Sequence, residues 1–171
     1  MKEVLTINVQ IAGMSGMERK EGNVNMICFI GSSNCRNFQG KIMDDGVDTQ
    51  VLRADGSGAL SARYLMEGMD CEGKPCKLYV ENNGTLGENG NITTTPKILT
   101  NSSALKWLET AELSGTVEGA GEGKILIRIY ERNSEDRREI YHNLQRAEDN
   151  PYSIDFHTKL EKSWCDFTVS E

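Results

Sequence analysis

The segment VDTQVLRADGSGALSARYLME, residues 47–67, decides the fold class of this chain. Residues 47–53 alternate between two faces, and residues 59–67 form a second strand-like stretch. Between them, Asp55-Gly56 supplies the residue types that a tight chain reversal needs. The segment is therefore predicted to be a β-hairpin, two antiparallel strands joined by a short turn.

The same alternation recurs through the first three quarters of the chain. Apolar residues at every second position predict a half-buried strand over residues 5–11, which Gly13 and Gly16 are expected to interrupt. A Gly-rich stretch at residues 119–124 ends in Lys124 but is followed by Ile125, not Ser or Thr, so it predicts a hairpin loop and not a phosphate-binding loop. Further strands are predicted at residues 26–30, 76–82, 111–117 and 124–131.

Four other segments lack this alternation. A short helix is predicted over residues 103–110, which open on a serine cap. Residues 83–95 are rich in Gly, Asn and Thr and are predicted to form a long mobile loop. The highly charged residues 134–149 indicate a solvated helix or arm, and residues 164–169 are candidates for a last strand.

Strands at hairpin spacing, with few helices between them, are typical of an antiparallel all-β fold. The 17 glycines suit the turns and bends of a strongly coiled sheet. The pattern predicts seven to nine strands with one or two short helices, and it leaves a sandwich and a barrel open. The 171 residues are expected to form a single domain over residues 1–171, with 132–171 as a charged C-terminal extension.

Composition excludes several classes of function. No apolar run approaches the roughly 20 residues that a membrane-spanning helix needs, so a membrane partner is not expected. The net charge of −7 repels phosphate backbones, which argues against nucleic-acid binding. The N-terminus lacks the features of a secretory signal, so a cytoplasmic location is expected. With five cysteines, no C-x-x-C pair and two histidines, neither a metal site nor a cofactor is predicted.

Several spaced motifs resemble those of the domain of unknown function 3237 family (DUF3237), over residues 5–131. The resemblance implies an antiparallel β-barrel, allene oxide cyclase-like or calycin-like, with a lumen that could hold a small molecule. It carries over no enzyme activity. The matching motifs are Phe38-x-Gly40, the Gly-x-Asp-x-Gln strand at residues 46–50, Asp55-Gly56, Ala62-Arg63-Tyr64, Asn82-x-Gly84, Trp107-Leu108 and the Ile-x-Ile-Arg-Ile-Tyr strand at residues 125–130.

The predicted hairpin carries polar residues within its strands. Asp48 and Gln50 share one face, and the other face is formed by residues 47, 49 and 51, so which face lines the lumen is open. If Asp48 and Gln50 point inward, they are buried polar groups that need partners, and Arg63 or Tyr64 on the next strand could supply them. The candidate lumen and ligand-binding residues are Asp48, Gln50, Arg63, Tyr64, Glu81 and Trp107.

Several interpretations of this cluster compete. It could be an internal network that only fixes the register of the barrel, or the lining of a ligand pocket. It could also belong to an isomerase or cyclase, with Asp48 or Glu81 moving a proton and Tyr64 or Arg63 stabilising an oxyanion. A structural or assembly protein is a further alternative, and a homo-oligomer is expected. The sequence favours a barrel that binds a small organic molecule, and it leaves open whether the protein is an enzyme.

Overall fold

The computed structural model of the chain describes residues 1–87, 90 and 92–132, which belong to one compact unit, Met1–Arg132. These residues contain nine strands and one 3-10 helix, and no helix among them has the length and apolar character needed to cross a membrane. The strands are β1 (Lys2–Arg19), β2 (Gly22–Asn34), β3 (Phe38–Ile42), β4 (Gly46–Leu52), β5 (Gly58–Asp70), β6 (Pro75–Leu86), β7 (Ile92–Thr100), β8 (Leu113–Gly119) and β9 (Lys124–Glu131), and the helix, η1, is Lys106–Glu109.

The nine strands form one antiparallel sheet that closes on itself. β1 pairs with β2 on one side and with β9 on the other, which joins the two ends of the sheet. β3 and β4 each lie between β2 and β5, at different levels, so the two short strands share one position in the ring. The barrel therefore has eight strand positions, a size whose interior is filled by side chains or holds one small ligand. The sequence pattern left a sandwich and a barrel as alternatives, and the structure confirms the barrel.

The predicted hairpin at residues 47–67 is confirmed as β4 and β5. Val47 pairs with Arg63 at one end of the ladder, and Leu52 pairs with Gly58 next to the turn. In the turn, Asp55 Oδ1 accepts a hydrogen bond of 2.8 Å from the backbone N–H of Ser57. Gly56 has a φ of 85°, a left-handed conformation that glycine adopts without steric cost.

The predicted mobile loop at residues 83–95 is wrong, because both flanking strands continue into it. β6 extends to Leu86 and β7 begins at Ile92, with cross-strand pairs such as Thr85 with Thr93. β-branched threonines fit a pleated strand well. In this segment the strands lack the alternation of apolar residues by which a strand is recognised in the sequence. This polar segment therefore belongs to the β6–β7 hairpin.

Two other expectations change, and the C-terminal ones stay predictions. β1 runs past Gly13 and Gly16 to Arg19, because a bulge between Ile11 and Gly13 absorbs the irregularity and pairing with β2 continues. The helix expected over residues 103–110 is only the single turn of η1. The C-terminal expectations, for the extension at 132–171 and for residues 134–149 and 164–169, lie outside the described residues except at Arg132.

One end of the barrel, which we call the closed end, is filled by apolar side chains. Leu108 of η1 and Leu105, the residue just before η1, are at most 2% exposed and cover this end. Other fully buried side chains reach it from the strands around the ring. They include Leu5, Phe38, Met66, Leu78, Ile98 and Ile129.

A buried carboxylate ties the β5–β6 turn to the chain that precedes η1. Asp70 Oδ2 accepts a hydrogen bond of 2.6 Å from the Ser102 hydroxyl, and Asp70 Oδ1 accepts the backbone N–H groups of Glu72 and Lys74. The Ser102 hydroxyl and these backbone donors hold the pKa of Asp70 below its usual range. The ionised form of Asp70 is therefore the form that the fold stabilises.

Acid is expected to weaken this contact. Because the pKa of Asp70 is lower in the folded chain than in the unfolded one, its contribution to stability is fully present above about pH 4 and is lost as the pH falls through the folded pKa. In Ser102→Ala, the midpoint of thermal unfolding should fall most near neutral pH, and the difference from wild type should shrink toward about pH 2. Thermal unfolding across this pH range tests the expectation, and a pH-independent difference would contradict it.

Candidate functional site

The end of the barrel opposite the closed end contains a cavity of about 130 Å³. An apolar cavity of roughly 150 Å³ is large enough for one benzene molecule, so this one has room for a single small ring. Side chains that point inward from eight strands line it. They are Val9, Ile11, Ile27, Phe29, Asp48, Gln50, Leu60, Ala62, Asn82, Ile92, Thr94, Val117, Ile125 and Ile127.

Strand pairing places two polar residues on opposite sides of a small one. Asp48 pairs with Ala62 across β4 and β5, and Ala62 pairs with Asn82 across β5 and β6. The three residues therefore form one row on the inner face of the barrel, which spans two strand spacings, or roughly 10 Å. Because Ala62 carries only a methyl group, it leaves the space between Asp48 and Asn82 open.

Three polar atoms on the cavity wall are buried without a hydrogen-bond partner in the described residues. They are Asp48 Oδ1, Asn82 Oδ1 and Thr94 Oγ1. Asn82 is 4% exposed and Thr94 is 3% exposed, so bulk water does not reach these side chains freely. The other carboxylate oxygen of Asp48 accepts a hydrogen bond of 2.8 Å from Gln50 Nε2. More than nine in ten buried polar groups in proteins have a partner, so this concentration at one cavity is unusual.

Glycines fix the position of the Thr94 side chain. Thr94 pairs with Gly84 on β6 and with Gly115 on β8, and among the described residues this second pair is the sole registered pairing of β7 with β8. A Cβ atom at Gly115 would lie 2.3 Å from Thr94 Oγ1, and one at Gly84 would lie 2.8 Å from Thr94 Cγ2. Both neighbours of Thr94 must therefore lack a side chain for its hydroxyl to occupy this place.

Of the residues predicted to line the lumen, Asp48 and Gln50 do so and Tyr64 lies deeper. Tyr64 points inward, one inward position closer to the closed end than Ala62, and its ring packs edge-to-face on Phe29 at 5.5 Å. Its hydroxyl is buried and has no hydrogen-bond partner within residues 1–87, 90 and 92–132, and burial raises the pKa of Tyr64 far above the usual range. Tyr64 is thus a neutral core residue that supports the wall through Phe29.

Arg63 and Glu81 lie on the outer face of the barrel, so the prediction that they line the lumen is wrong. Arg63 Nε and Tyr79 Oη both donate to Glu81 Oε2, at 3.3 and 3.0 Å, and Asn83 Nδ2 donates to Glu81 Oε1 at 2.7 Å. These donors, Asn83 first, lower the pKa of Glu81. The reason is the alternation of the strand: Arg63 lies between inward-pointing Ala62 and Tyr64, so it must point out.

Trp107 does not line the cavity either. It belongs to η1, is partly buried, and packs against the core at the closed end. The polar wall residues that the sequence did not single out as candidates are Asn82 and Thr94. Asn82 lay within a recognised motif, and a strict alternation from Cys76 along β6 would have placed it inside. Thr94 was hidden by the assignment of its segment to a loop.

The chemistry of the wall is limited to a few groups. It offers the Asp48 carboxylate, the amide groups of Gln50 and Asn82 and the Thr94 hydroxyl, set among mainly aliphatic side chains. The described residues contain no group of three His, Cys, Asp or Glu side chains that could hold a metal ion. The cavity can therefore accept hydrogen bonds from a bound molecule, enclose an apolar body and, at Asp48, exchange a proton.

These features define the protein as a small closed antiparallel β-barrel with a cavity at one end. The chain belongs to the family described as "Protein of unknown function (DUF3237)", which matches residues 1–132. This confirms the resemblance that the motifs indicated.

A curated relative matches about half of the chain. A UPF0311 protein of Clostridium acetobutylicum is 36% identical over 81 residues, which are 47% of this chain and 49% of that protein. The match thus spans about half the length of this curated relative.

Solved structures share the architecture. A protein of unknown function from Clostridium acetobutylicum ATCC 824 superposes with a TM-score of 0.65 at 25% identity, over 77% of this chain and 98% of that chain. A conserved protein of unknown function from Rhodopseudomonas palustris has a TM-score of 0.63 at 22% identity, over 75% and 93% of the two chains. A β-barrel-like protein from Acinetobacter baumannii AYE has a TM-score of 0.62 at 17% identity, over 76% and 93%. The last two support the fold alone.

Proposed function

We propose that this protein binds a small organic molecule in the cavity at the open end of its barrel. The observation that carries the proposal is the set of three buried polar atoms without partners, on Asp48, Asn82 and Thr94, around a cavity whose wall is otherwise mainly aliphatic. A wall of apolar groups with a few convergent polar atoms is the usual composition of a small-molecule site. A cytoplasmic location and self-association remain predictions from the sequence.

The energetics favour a binding site over an internal network. A buried polar group without a partner costs about 1–3 kcal/mol, so three of them at one place weaken the fold unless a ligand satisfies them. A network that only fixed the register would satisfy its own members. Here the hydrogen bond between Asp48 and Gln50 is not extended by the other candidates, because Arg63 points outward and the Tyr64 hydroxyl has no partner in the part of the chain that the structure describes.

Acid–base catalysis is the alternative, and it rests on one residue. Of the groups considered for proton transfer or oxyanion stabilisation, Asp48 alone is on the cavity wall. Glu81 and Arg63 are paired with each other outside the barrel, and Tyr64 is held neutral in the core. Binding requires nothing beyond the atoms already in place, so it is the function that the geometry supports best.

Filling the cavity should abolish binding without changing the outer surface. Ala62→Leu places a larger apolar side chain between Asp48 and Asn82, and Ala59→Leu adds the same side chain on the exposed face of the same strand as a matched control. Ligand-detected NMR with a mixture of cationic, neutral and anionic single-ring compounds measures binding. We expect binding to the wild type and to Ala59→Leu and none to Ala62→Leu. No binding to the wild type, or equal binding to Ala62→Leu, would overturn the proposal.

A further inference from the structure

We infer that the ligand of this cavity is a small organic cation, a protonated amine on an apolar body, an inference that rests on the binding function proposed above. Three features of the wall lead to it: the sign of its charge, the kind of hydrogen-bonding atom it leaves free, and the shape of the space between those atoms.

The first feature is an uncompensated negative charge. Asp48 is the charged residue on the wall, and the other residues that line the cavity are apolar, amide or hydroxyl side chains. The one hydrogen bond to the Asp48 carboxylate comes from the neutral amide of Gln50, and no ion pair of the described residues includes Asp48. A carboxylate in an apolar cavity attracts a cation strongly and repels an anion, because the surroundings screen charge poorly. The outer carboxylate of Glu81, in contrast, already has Arg63 as its partner.

The second feature is that the free atoms are acceptors. A carboxylate oxygen and an amide carbonyl oxygen can only accept hydrogen bonds, and a threonine hydroxyl can accept one as well. The three free atoms are Asp48 Oδ1, Asn82 Oδ1 and Thr94 Oγ1. A primary ammonium group carries three N–H donors and no acceptor, so its hydrogen-bonding capacity matches the three atoms in kind and in number. A carboxylate or phosphate ligand would meet Asp48 Oδ1 and Asn82 Oδ1 with acceptors, and of the three atoms only the Thr94 hydroxyl could donate to it.

The third feature is the space around these atoms. The methyl group of Ala62 leaves the inner surface open between Asp48 and Asn82, and the glycines on both sides of Thr94 make room for its side chain on the wall. Aliphatic side chains surround this polar area, among them Ile27, Ile92, Val117, Ile125 and Ile127. A cavity of about 130 Å³ limits the apolar body of the ligand to about one ring.

Four compounds with the same ring and different head groups test the inference: benzylamine as the cation, benzyl alcohol as a neutral donor, toluene with no polar group and benzoate as the anion. Dissociation constants at pH 7, where benzylamine is protonated, come from titrations followed by methyl-detected NMR. We expect shifts confined to the isoleucine and valine methyls of the wall. Benzylamine should bind about ten-fold more tightly than benzyl alcohol, since charge-assisted hydrogen bonds are roughly twice as strong as neutral ones. Benzoate should show no binding.

Two charge-neutralising variants separate the wall from the surface. Asp48→Asn keeps the size of the side chain and removes its charge, and should bring benzylamine and benzyl alcohol to within about two-fold of each other. Glu81→Gln makes the same change of net charge on the outer face and should keep the ten-fold preference. Toluene or benzyl alcohol binding as tightly as benzylamine, or benzoate binding more tightly, would overturn the cation inference while leaving a ligand cavity. If none of the four binds the wild type, the proposed function itself fails.

Discussion

Phe38→Ala is expected to lower the free energy of unfolding by about 3–5 kcal/mol. Phe38 is 1% exposed and is the largest of the fully buried side chains, so truncation removes apolar contacts and leaves a cavity that a barrel closed by hydrogen bonds cannot collapse to fill. Its ring covers Gly40, where a Cβ atom would lie 2.7 Å from Phe38 Cζ. Gly40 in turn pairs with Gly68 on β5, where a Cβ atom would meet the backbone of Gln39 and Gly40, so the two strands approach closely beside the ring.

Urea denaturation of Phe38→Ala and of Leu65→Ala measures this effect. Leu65 is 47% exposed on the outer face of β5, and its truncation should change stability by less than about 0.5 kcal/mol. Because Phe38 belongs to the closed end, the folded Phe38→Ala variant should bind benzylamine as the wild type does. A loss of stability no larger than that of Leu65→Ala would mean that the closed end is not a packed core.

The local sequence was enough to predict the β4–β5 hairpin. Asp55-Gly56 fixes the reversal, and the alternation on either side puts Asp48 and Gln50 on a common face. The same period-two rule excludes Arg63 and Tyr64 from pointing the same way, since they are neighbours in one strand. That part of the site was therefore available from the sequence, and the outward direction of Arg63 follows as soon as Tyr64 is assigned to the core.

The orientation of β4 could not be predicted from hydrophobicity. Its outer face carries Val47 and Val51, and its inner face carries Asp48 and Gln50, so the more apolar face is the one that points away from the barrel. Burial normally follows apolar character, and the exception occurs where the inner face of β4 lines the cavity, the place to which we assign the ligand. Which face of β4 points into the barrel is set by the strand pairing around the ring, and this pairing depends on residues far away in the sequence.

Thr94 shows a second limit of the sequence. Its importance depends on where β6 places Gly84 and where β8 places Gly115, and neither neighbour is recognisable from the composition of residues 83–95. Threonine-rich strands give no apolar periodicity, so a polar hairpin and a polar loop look alike in the sequence. The ladder, and with it the third acceptor of the cavity, becomes visible only in the closed barrel.

The double variant Asn82→Leu/Thr94→Val is expected to be more stable than the wild type by about 2 kcal/mol, and to bind benzylamine at least ten-fold more weakly. Both substitutions keep the approximate shape of the side chain and remove a buried polar atom that lacks a partner. Because such an atom costs about 1–3 kcal/mol in the unliganded fold, replacing it with an apolar group raises stability. The same change removes two of the three acceptors that we assign to the ligand.

Chemical denaturation and the benzylamine titration, performed on the same preparations, measure both effects. Asn83→Leu is the matched control, because Asn83 is the next residue on β6 and points outward, where it donates to Glu81 and accepts a hydrogen bond of 2.7 Å from Ser61. It should gain no stability and should bind benzylamine normally. A double variant that is less stable than the wild type would show that Asn82 and Thr94 serve the fold. A gain in stability coupled to a loss of binding is the result expected of residues that are kept for a ligand at the expense of the fold.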